Sequence, residues 1–247
     1  MWRKLRSAAL IAVLTVVFAA GLKSCIVDAF RIPSASMSET LIPGDFLLVN
    51  KFIYGAKTPS SIFSLHIPSF RFPSVEKIQR GSVFVFEFPG EPDEVTPFRT
   101  QVLVKRCAGI PSDTLQITKG RLLINGSTAA FFSNAFDQDF TRTVVPFKGM
   151  NIPLDTAVID RWKTLIRREG HTVERYDGKI FIDGIASTRY HVENNYYFAI
   201  GDNVNNSYDS RYWGFIPEEN IVGQAVMIYW SKDHDGIRWR RIGTLIR

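Results

Sequence analysis

The hydrophobic and polar positions divide the chain into an apolar N-terminal run and a longer remainder of short segments. Residues 7–22 carry no charge, and as a helix they would span roughly 24 Å, slightly less than a ~30 Å hydrocarbon core. Lys23 can extend its amine to the headgroups while the apolar residues after it lengthen the crossing. Because basic residues precede the run, the pattern predicts a single transmembrane helix within residues 1–28, a cytoplasmic N-terminus and an exported remainder.

Two other interpretations of this end remain open. A basic start, a short apolar stretch and the small residues 19–21 are also typical of a cleavable secretory signal. The stretch from Leu22 to Cys25 resembles a lipoprotein cleavage site, although the lysine inside it fits poorly. All three interpretations export residues 29–247 and therefore predict the same compartment.

Beyond the N-terminal run, short stretches of β-branched and aromatic residues alternate with Gly, Pro, Asp and Asn, as in strands separated by turns. The dipeptides Asn125-Gly126 and Asp183-Gly184 favour tight hairpin turns. Segments 120–126 and 178–184 have similar sequences and predict two similar hairpins. The pattern therefore predicts a mainly β, antiparallel fold. Strands are expected over residues 45–49, 82–86, 100–105, 115–117, 122–124, 179–182, 196–200 and 222–229.

One segment departs from the strand pattern. Between Asp155 and Gly170 the apolar side chains recur at helical spacing, with Asp155 placed to cap the start and Gly170 to end the helix. This helix and the two predicted hairpins indicate a smaller α+β module inserted at residues 114–192. Residues 29–113 and 193–247 would then form the catalytic β core around it.

Composition narrows the classes of function. The net charge of +6 comes without a dense basic run, which suits an anionic phospholipid surface better than nucleic acid, and no nucleic-acid-binding motif occurs. The two cysteines, Cys25 and Cys107, do not form a disulfide framework and are expected to be unpaired. The four histidines lack the spacing of metal ligands, so neither a metal nor a cofactor is expected.

Ser36 and Lys105 are the candidate catalytic residues. Ser36 follows Pro33-Ser34-Ala35 in a sterically restricted turn that can expose a hydroxyl, although most serines in such segments are simply solvated. Lys105 ends the apolar run 102–105, whose burial would lower the pKa of the amine, although strand lysines more often point into solvent. A neutral amine can accept the serine proton in the place that histidine usually takes.

A third block of sequence accompanies these two. Residues 201–214 read Gly-Asp-Asn-Val-Asn-Asn-Ser-Tyr-Asp-Ser-Arg-Tyr-Trp-Gly and follow a predicted strand. Asn and Asp are common in ordinary surface turns. So many polar groups followed by Tyr-Trp-Gly nevertheless predict a loop held by its own hydrogen bonds, which is typical of loops that support a site.

The three blocks, in this order behind an apolar N-terminal run, resemble bacterial signal peptidase I, a family of membrane-bound serine-lysine endopeptidases that remove signal peptides from exported proteins. The resemblance does not extend to the predicted inserted module. The matching segments are Pro33–Met37 with Thr40-Leu41 and Gly44-Asp45, Gly81–Phe86, Lys105-Arg106 with Gly109–Asp113, and Gly201–Gly214.

The resemblance implies a role for each matched polar residue. Ser36 would be the nucleophile and Lys105 its general base. The hydroxyl of Ser34 and the N–H of Ser36 would bind the oxyanion, and Ser207 would orient the lysine. Two ion pairs would brace the supporting loop, and their members are Arg106 with Asp202 and Arg211 with Asp209.

The sequence departs from the family pattern at a few positions. Glu39 stands where proline is common, and Val204 and Asn205 replace a basic-acidic pair. Cys107 replaces an aliphatic residue. None of these changes removes a proposed catalytic atom, but the block at residues 201–214 is expected to have one ion pair fewer.

The resemblance also implies the partners and the location. The substrates would be exported preproteins with small residues at the first and third positions before the cut. The enzyme would be a single-pass protein of the bacterial cytoplasmic membrane that contacts phospholipid and works outside the cytoplasm. Shallow pockets that admit alanine would be lined by apolar residues, namely Ile32, Pro33, Met37, Leu41, Leu103 and Val104.

Two further functions fit parts of the pattern. One is a Ser-Lys maturation protease with a different exported substrate. The other is an inactive paralogue that serves as a membrane-anchored binding protein. The presence of Ser34, Ser36, Lys105 and Ser207 together argues against the inactive paralogue, because such a protein would be free to lose any of them.

Overall fold

The computed structural model describes residues 6–7, 10–11, 15, 27–55, 61–62, 65–66 and 71–247. The predicted transmembrane segment lies almost entirely outside these residues. No helix within the described part of the chain combines the length and the apolar character that crossing a bilayer requires. The chain divides into two compact units. The first consists of Met1–Pro33, Pro43–Lys77 and Val222–Arg247, and the second of Ser34–Ile42 and Ile78–Ile221.

The fold is mainly β, and the strands described below pair in antiparallel ladders. The strands, numbered along the chain, are β1 (Val27–Arg31), β2 (Asp45–Asn50), β3 (Ser61–Ile62), β4 (Leu65–His66), β5 (Val83–Glu87), β6 (Val102–Gly109), β7 (Thr114–Thr118), β8 (Arg121–Ile124), β9 (Ser127–Thr128), β10 (Phe140–Val144), β11 (Asn151–Pro153), β12 (Val173–Tyr176), β13 (Lys179–Ile182), β14 (Ile185–Ala186), β15 (Arg189–His191), β16 (Tyr196–Ile200), β17 (Ile216–Pro217) and β18 (Ile221–Ser231). The helices beyond the N-terminal run are α1 (Ile159–Arg168) and α2 (Ser210–Trp213), with single 3-10 turns at Phe52–Tyr54, Glu218–Asn220 and Trp239–Arg241.

The first unit is built on strands in the order β1-β2-β18. Side chains of β2 alternate between buried and half-buried, because successive residues of a strand face opposite sides. Asp45 begins β2 and is fully buried. Its carboxylate accepts hydrogen bonds from Ser231 and Arg241, so the start of β2 is tied to the end of β18 and to the C-terminal segment.

The second unit carries the candidate catalytic residues. Its strands follow the order β5-β6-β16-β17. The ladder between β5 and β6 runs from Val102 to Arg106, whereas β16 pairs with β6 only from Arg106 to Gly109. Because β16 ends at Ile200, residues 102–105 have a ladder partner on one side only among the described strands.

The rest of the second unit forms smaller sheets around one hydrophobic cluster. The strand orders are β10-β7-β8-β9, β11-β15 and β12-β13-β14. Helix α1 buries one apolar face in the cluster, beside the side chains of β7 and β8. A turn precedes α1, in which the Asp155 carboxylate accepts the N–H groups of Ala157 and Val158. Gly170, just beyond the helix, has a φ of 98°.

The structure confirms the predicted fold in its coarse form, a mainly β, antiparallel protein with few helices. Each predicted strand overlaps an observed one, and both residues of Asn125-Gly126 and of Asp183-Gly184 have positive φ. Two kinds of difference remain. Val27 and Asp28 lie in β1 although the sequence suggested that the helical anchor reaches them. Ten of the described strands match no predicted range, namely β1, β3, β4, β9, β10, β11, β12, β14, β15 and β17. The assignment of residues 114–192 to a separate module stays a prediction.

Candidate active site

Ser36 lies in a tight turn that precedes β2 in the chain. The N–H of Ser38 donates to the carbonyl of Ala35 at 3.1 Å, and that of Leu41 donates to Met37 at 2.6 Å. Met37 and Leu41 are fully buried, so the turn is anchored by its two apolar side chains. Ser36 itself is half-buried.

Lys105 reaches this hydroxyl from β6. Its Nζ lies 2.6 Å from Ser36 Oγ and 3.1 Å from Ser207 Oγ. Lys105 is only 3% exposed. The amine is therefore buried against two hydroxyl groups and makes no ion pair among the described residues.

Burial lowers the pKa of Lys105 to about 8, because the charged ammonium loses its hydration. Three nearby charges make smaller contributions. The carboxylates of Asp209 and Asp202 raise the pKa, and the guanidinium of Arg211 lowers it. A substantial fraction of the amine is consequently neutral near pH 8, and a neutral amine can accept a proton.

Ser34 is close to the same hydroxyl. Its Oγ lies 3.4 Å from Ser36 Oγ, and the side chain is exposed. The N–H of Ser36 donates to no acceptor among the described residues. The turn thus presents a hydroxyl and a backbone N–H beside the nucleophile, which are the types of donor that stabilise a developing oxyanion.

The loop after β16 contacts the serine turn directly through its backbone. The N–H of Asn203 donates to the carbonyl of Ser36 at 3.1 Å, and its side-chain amide donates to the carbonyl of Ala35 at 3.1 Å. A Cβ at Gly201 would lie 2.3 Å from Ser207 Oγ and 2.4 Å from the carbonyl oxygen of Ser36. Only glycine fits this contact without displacing one of the two segments.

Asn203 and Gly201 were not assigned roles from the sequence. Both belong to the matching block, but Asn and Gly are also ordinary turn residues, so composition alone cannot separate the two uses. A glycine directly after a fully buried strand is the signal that could have indicated a close backbone approach.

The first expected ion pair is present and almost fully buried. Arg106 donates from Nε and Nη2 to the two carboxylate oxygens of Asp202, both at 2.7 Å. Its remaining nitrogen donates to the carbonyl of Gly81 at 2.6 Å. The hydroxyl of Thr40 donates to Asp202 at 2.6 Å and accepts from Arg106 at 3.0 Å, which links this pair to the serine turn. Thr40 was part of the matching sequence but had been given no role.

The second expected pair braces the loop from inside. Arg211 donates to both carboxylate oxygens of Asp209, at 2.8 and 2.9 Å, and also to the carbonyl of Val204 at 2.6 Å. Asp209 is fully buried, caps α2 by accepting the N–H of Arg211, and accepts the N–H of Gly201 at 3.1 Å. The start and the end of the loop are therefore joined through one carboxylate.

The predicted pocket residues differ in their surroundings. Leu103 and Val104 are half-buried on β6, and strand alternation places Leu103 on the same face as Lys105 and Val104 on the opposite face. The other four lie at or near the serine turn. Met37 and Leu41 are fully buried, and of the two pocket residues that belong to the first unit, Ile32 is buried and Pro33 exposed.

One group of possible metal ligands occurs among the described residues. It consists of Asp233, His234 and Asp235, whose ligand atoms lie within 4.8 Å of one another. All three are exposed, belong to the first unit and are adjacent in sequence, as in an ordinary polar turn. Cys107, which follows the Lys105-Arg106 pair, is buried and free, and burial raises the pKa of its thiol.

A serine hydroxyl against a buried lysine amine, with free oxyanion donors beside it, is an arrangement suited to hydrolysis through a covalent intermediate. Comparison with known proteins agrees with this class. Residues 5–230 match the family described as signal peptidase, peptidase S26. The chain belongs to this family, and it is accordingly a peptidase.

Several relatives named signal peptidase I are similar over most of the chain. The protein from Buchnera aphidicola subsp. Schizaphis graminum is 32% identical over 91% of this chain and 76% of its own length. The Pseudomonas aeruginosa protein is 34% identical over 85% of this chain and 67% of its own length. The Haemophilus influenzae protein is 31% identical, with coverages of 92% and 69%.

Proposed function

We propose that this protein removes signal peptides from exported preproteins, with Ser36 as the nucleophile and Lys105 as the general base. The observation that carries the proposal is the 2.6 Å distance between Lys105 Nζ and Ser36 Oγ in a buried environment. An amine with a pKa of about 8 can take the serine proton near neutral pH, which an ordinary exposed lysine cannot do.

In the first half of the reaction the neutral amine of Lys105 accepts the proton of Ser36 while Oγ attacks the scissile carbonyl. The negative charge that develops on the carbonyl oxygen is bound by the N–H of Ser36 and the hydroxyl of Ser34. The protonated lysine then gives its proton to the leaving amine, and the carbon-nitrogen bond breaks. The mature protein departs, and the signal peptide stays as an ester on Ser36.

The second half reverses these roles. Lys105 accepts a proton from water, and the resulting hydroxide attacks the ester carbonyl. The ester bond to Ser36 breaks, and the serine regains its proton from the lysine. Ser207, 3.1 Å from Nζ, keeps the amine directed at the serine in both halves. No step requires a group beyond these side chains and water.

The substrate binds as an extended strand along β6. Among the described strands, residues 102–105 have a partner on one side only, so their other edge can pair with a peptide backbone that ends beside Ser36. Leu103 shares the strand face of Lys105 and is half-buried, which suits it to contact a substrate side chain. A pocket bounded by so large a residue admits alanine more easily than bulky groups, in agreement with small residues before the cut.

The location follows from the N-terminal pattern. The uncharged run within residues 7–22, preceded by basic residues, anchors the protein in the cytoplasmic membrane with its N-terminus in the cytoplasm. The part of the chain beyond this run works on the outer side, where signal peptides of exported proteins emerge. Residues 114–192 form an inserted module whose hydrophobic cluster is shared with the strands around the site.

Cleavage of a secretory preprotein by the purified full-length protein tests the proposal. Wild type is expected to release the mature protein with an intact mass that places the cut after a small residue. Ser36→Ala should abolish the cut, whereas Ser187→Ala, which removes a half-buried hydroxyl that donates only to the nearby carbonyl of Ile185, should leave it unchanged. A Ser36-dependent cut elsewhere would indicate a maturation protease with another substrate, and a folded protein that binds without cutting would indicate the inactive paralogue.

A preprotein with phenylalanine immediately before the scissile bond provides the test of specificity. It should be cleaved far more slowly than the alanine form by wild type. Equal rates for the two forms would remove the assignment of small-residue pockets while leaving the Ser-Lys chemistry in place.

A further inference from the structure

Glu39 and Asn205 lie on the two segments that meet at the site. Glu39 belongs to the serine turn, and Asn205 belongs to the loop that carries Ser207. Both side chains are exposed, so neither is explained by core packing. They are far apart in sequence, yet both contact one short segment, residues 134–137.

The contacts are hydrogen bonds to that segment from both sides. The amide of Asn134 donates to the carboxylate of Glu39 at 3.0 Å. The amide of Asn205 donates to the carbonyl of Ala135 at 3.1 Å, and its oxygen accepts the N–H of Asp137 at 3.1 Å. The Asn205 side chain thereby forms hydrogen bonds with the backbone on both sides of Phe136, at Ala135 and at Asp137.

The segment is itself well anchored. Phe136 is 5% exposed, and the guanidinium of Arg211 lies over its ring at 5.5 Å from the centroid. The N–H of Phe136 donates to the carbonyl of Gly120 at 3.1 Å, in the turn between β7 and β8. The neighbouring residue Val204 is 2% exposed and belongs to the same hydrophobic cluster as Phe136.

Val204 and Asn205 therefore make two different kinds of contact, neither of them an ion pair. Val204 is packed in the cluster, while Asn205 turns outward to the 134–137 segment. The Glu39 carboxylate only accepts hydrogen bonds when ionised, so it matches the amide donor of Asn134. The same segment thus contacts each side of the site.

We propose that residues 134–137 are a positioning clamp, which holds the serine turn and the Ser207 loop at the separation that keeps Ser36 and Lys105 in contact. Asn134 and Asn205 are positioning residues, since they reach the reacting atoms only through Glu39 and the loop backbone. The inference rests on the proposed function for its effect on turnover, but the clamp itself is a property of the fold.

The clamp should affect turnover more than substrate binding. Loosening it lowers the fraction of molecules in which the two catalytic groups are in reach, and small displacements of such groups are costly to rate. The hydrogen bonds of the clamp do not involve residues 102–105 of β6, where the substrate is proposed to pair, so the affinity for substrate should be kept.

Alanine substitutions with a matched control test this. Asn205→Ala and Asn134→Ala should each lower kcat roughly three- to tenfold, with KM changed less than about twofold. Gln138→Ala is the control, because Gln138 is an exposed amide next to the clamp whose side chain makes no hydrogen bond among the described residues. Glu39→Ala combined with Asn134→Ala should be no worse than either single change, since both remove one hydrogen bond.

Hydrogen-deuterium exchange provides a readout that does not depend on catalysis. Peptides that cover residues 34–42 and 201–209 should exchange faster in Asn205→Ala and Asn134→Ala, and at the wild-type rate in Gln138→Ala. Unchanged exchange in both segments would overturn the clamp even if the enzyme cleaves preproteins. Faster exchange in the variants together with a wild-type kcat would overturn the positioning role. If the variants exchange faster but the wild-type protein itself cleaves no preprotein, the clamp stands and the proposed function is rejected.

Discussion

Lys105 and Arg106 are neighbours on β6, and both are buried, yet their surroundings have opposite effects. Arg106 faces the carboxylate of Asp202, which accepts two hydrogen bonds from it and keeps its charge compensated. Lys105 faces the hydroxyls of Ser36 and Ser207, which offer no compensating charge. The surroundings of Arg106 therefore stabilise a charged side chain. Those of Lys105 disfavour the charged amine and lower its pKa.

The difference shows how a site can hold a neutral lysine close to carboxylates. Asp202 and Asp209 both raise the pKa of Lys105, but burial outweighs them. Each carboxylate is already paired with an arginine, and Arg211 directly lowers the pKa of the lysine. The two ion pairs support the loop without supplying a net negative charge that would keep Lys105 protonated.

The largest effect is expected from changing the lysine itself. Lys105→Arg should lower kcat at least about a thousandfold, because a guanidinium stays protonated and cannot act as the base. Lys105→Met should be equally inactive, with a Tm equal to or above wild type, since it removes a poorly compensated buried amine. Turnover by intact-mass assay and thermal unfolding check both variants, and near-normal activity of Lys105→Arg would reject the lysine as base.

The neighbouring arginine should respond in stability. Arg106→Ala leaves Asp202 buried without its main partner, and we expect a loss of about 3 kcal/mol, or a Tm lower by about 6 to 12 °C. Adding Asp202→Asn should recover part of the loss, because the unpaired charge is then gone. If Arg106→Ala unfolded at the wild-type temperature, the proposed contrast between the two positions would be wrong.

The pH dependence of wild type should follow the protonation of Lys105. Protonated lysine is inactive and neutral lysine is active, so kcat/KM should rise with pH and level off above a midpoint of about 8. Activity at pH 6 should be roughly fiftyfold below that at pH 8. Unfolding measured across the same range is the control, and a flat profile between pH 6 and 8 would contradict a base of this pKa.

Removing the orienting hydroxyl should have a smaller effect. Ser207→Ala deletes one hydrogen bond to the Lys105 amine but leaves the base in place, so kcat should fall about tenfold. Ser187→Ala, which removes a half-buried hydroxyl bonded to the carbonyl of Ile185, should leave kcat unchanged. Steady-state kinetics with a preprotein substrate separate the two, and an unaffected Ser207→Ala would remove the role assigned to that serine.

The smallest effect is expected from the charge of Arg211. Arg211→Gln leaves Asp209 uncompensated, so the pKa of Lys105 should rise and the pH profile should move to higher pH. At pH 7 the activity should fall about threefold, with recovery at high pH. Arg211→Lys keeps the charge but loses the forked hydrogen bonds, so it should show an unshifted midpoint even if its loop is less ordered.

Much of the sheet framework could be predicted because its strands are buried on alternate or on both faces. The central strands β5 and β16 gave clear signals, and the Asn-Gly and Asp-Gly dipeptides marked turns that require positive φ. The ten strands outside the predicted ranges, β10 and β12 among them, all lie at sheet edges. Edge strands bury few side chains, and sequences such as Val-Glu-Arg-Tyr in β12 carry little alternation.

The candidate site was predictable to the extent that its residues fall in recognisable blocks. Ser36, Lys105 and the two arginine-aspartate pairs lie in such blocks, and the structure brings them together. The contacts made by Asn134 and Asn205 were not predictable. They join exposed amides to partners distant in sequence, and such contacts produce neither periodicity nor a composition signal.

The bare backbone at Gly201 also bears on which substitutions this chain can accumulate. A single methyl group there would meet the Ser36 carbonyl and the Ser207 hydroxyl, so bulk at that point would wedge the two segments apart. Positions toward the rim, such as Glu39 and Asn205, face solvent and can exchange one polar group for another. The surroundings of the serine can therefore diverge in chemistry at the rim, while at Gly201 the available volume leaves no alternative residue.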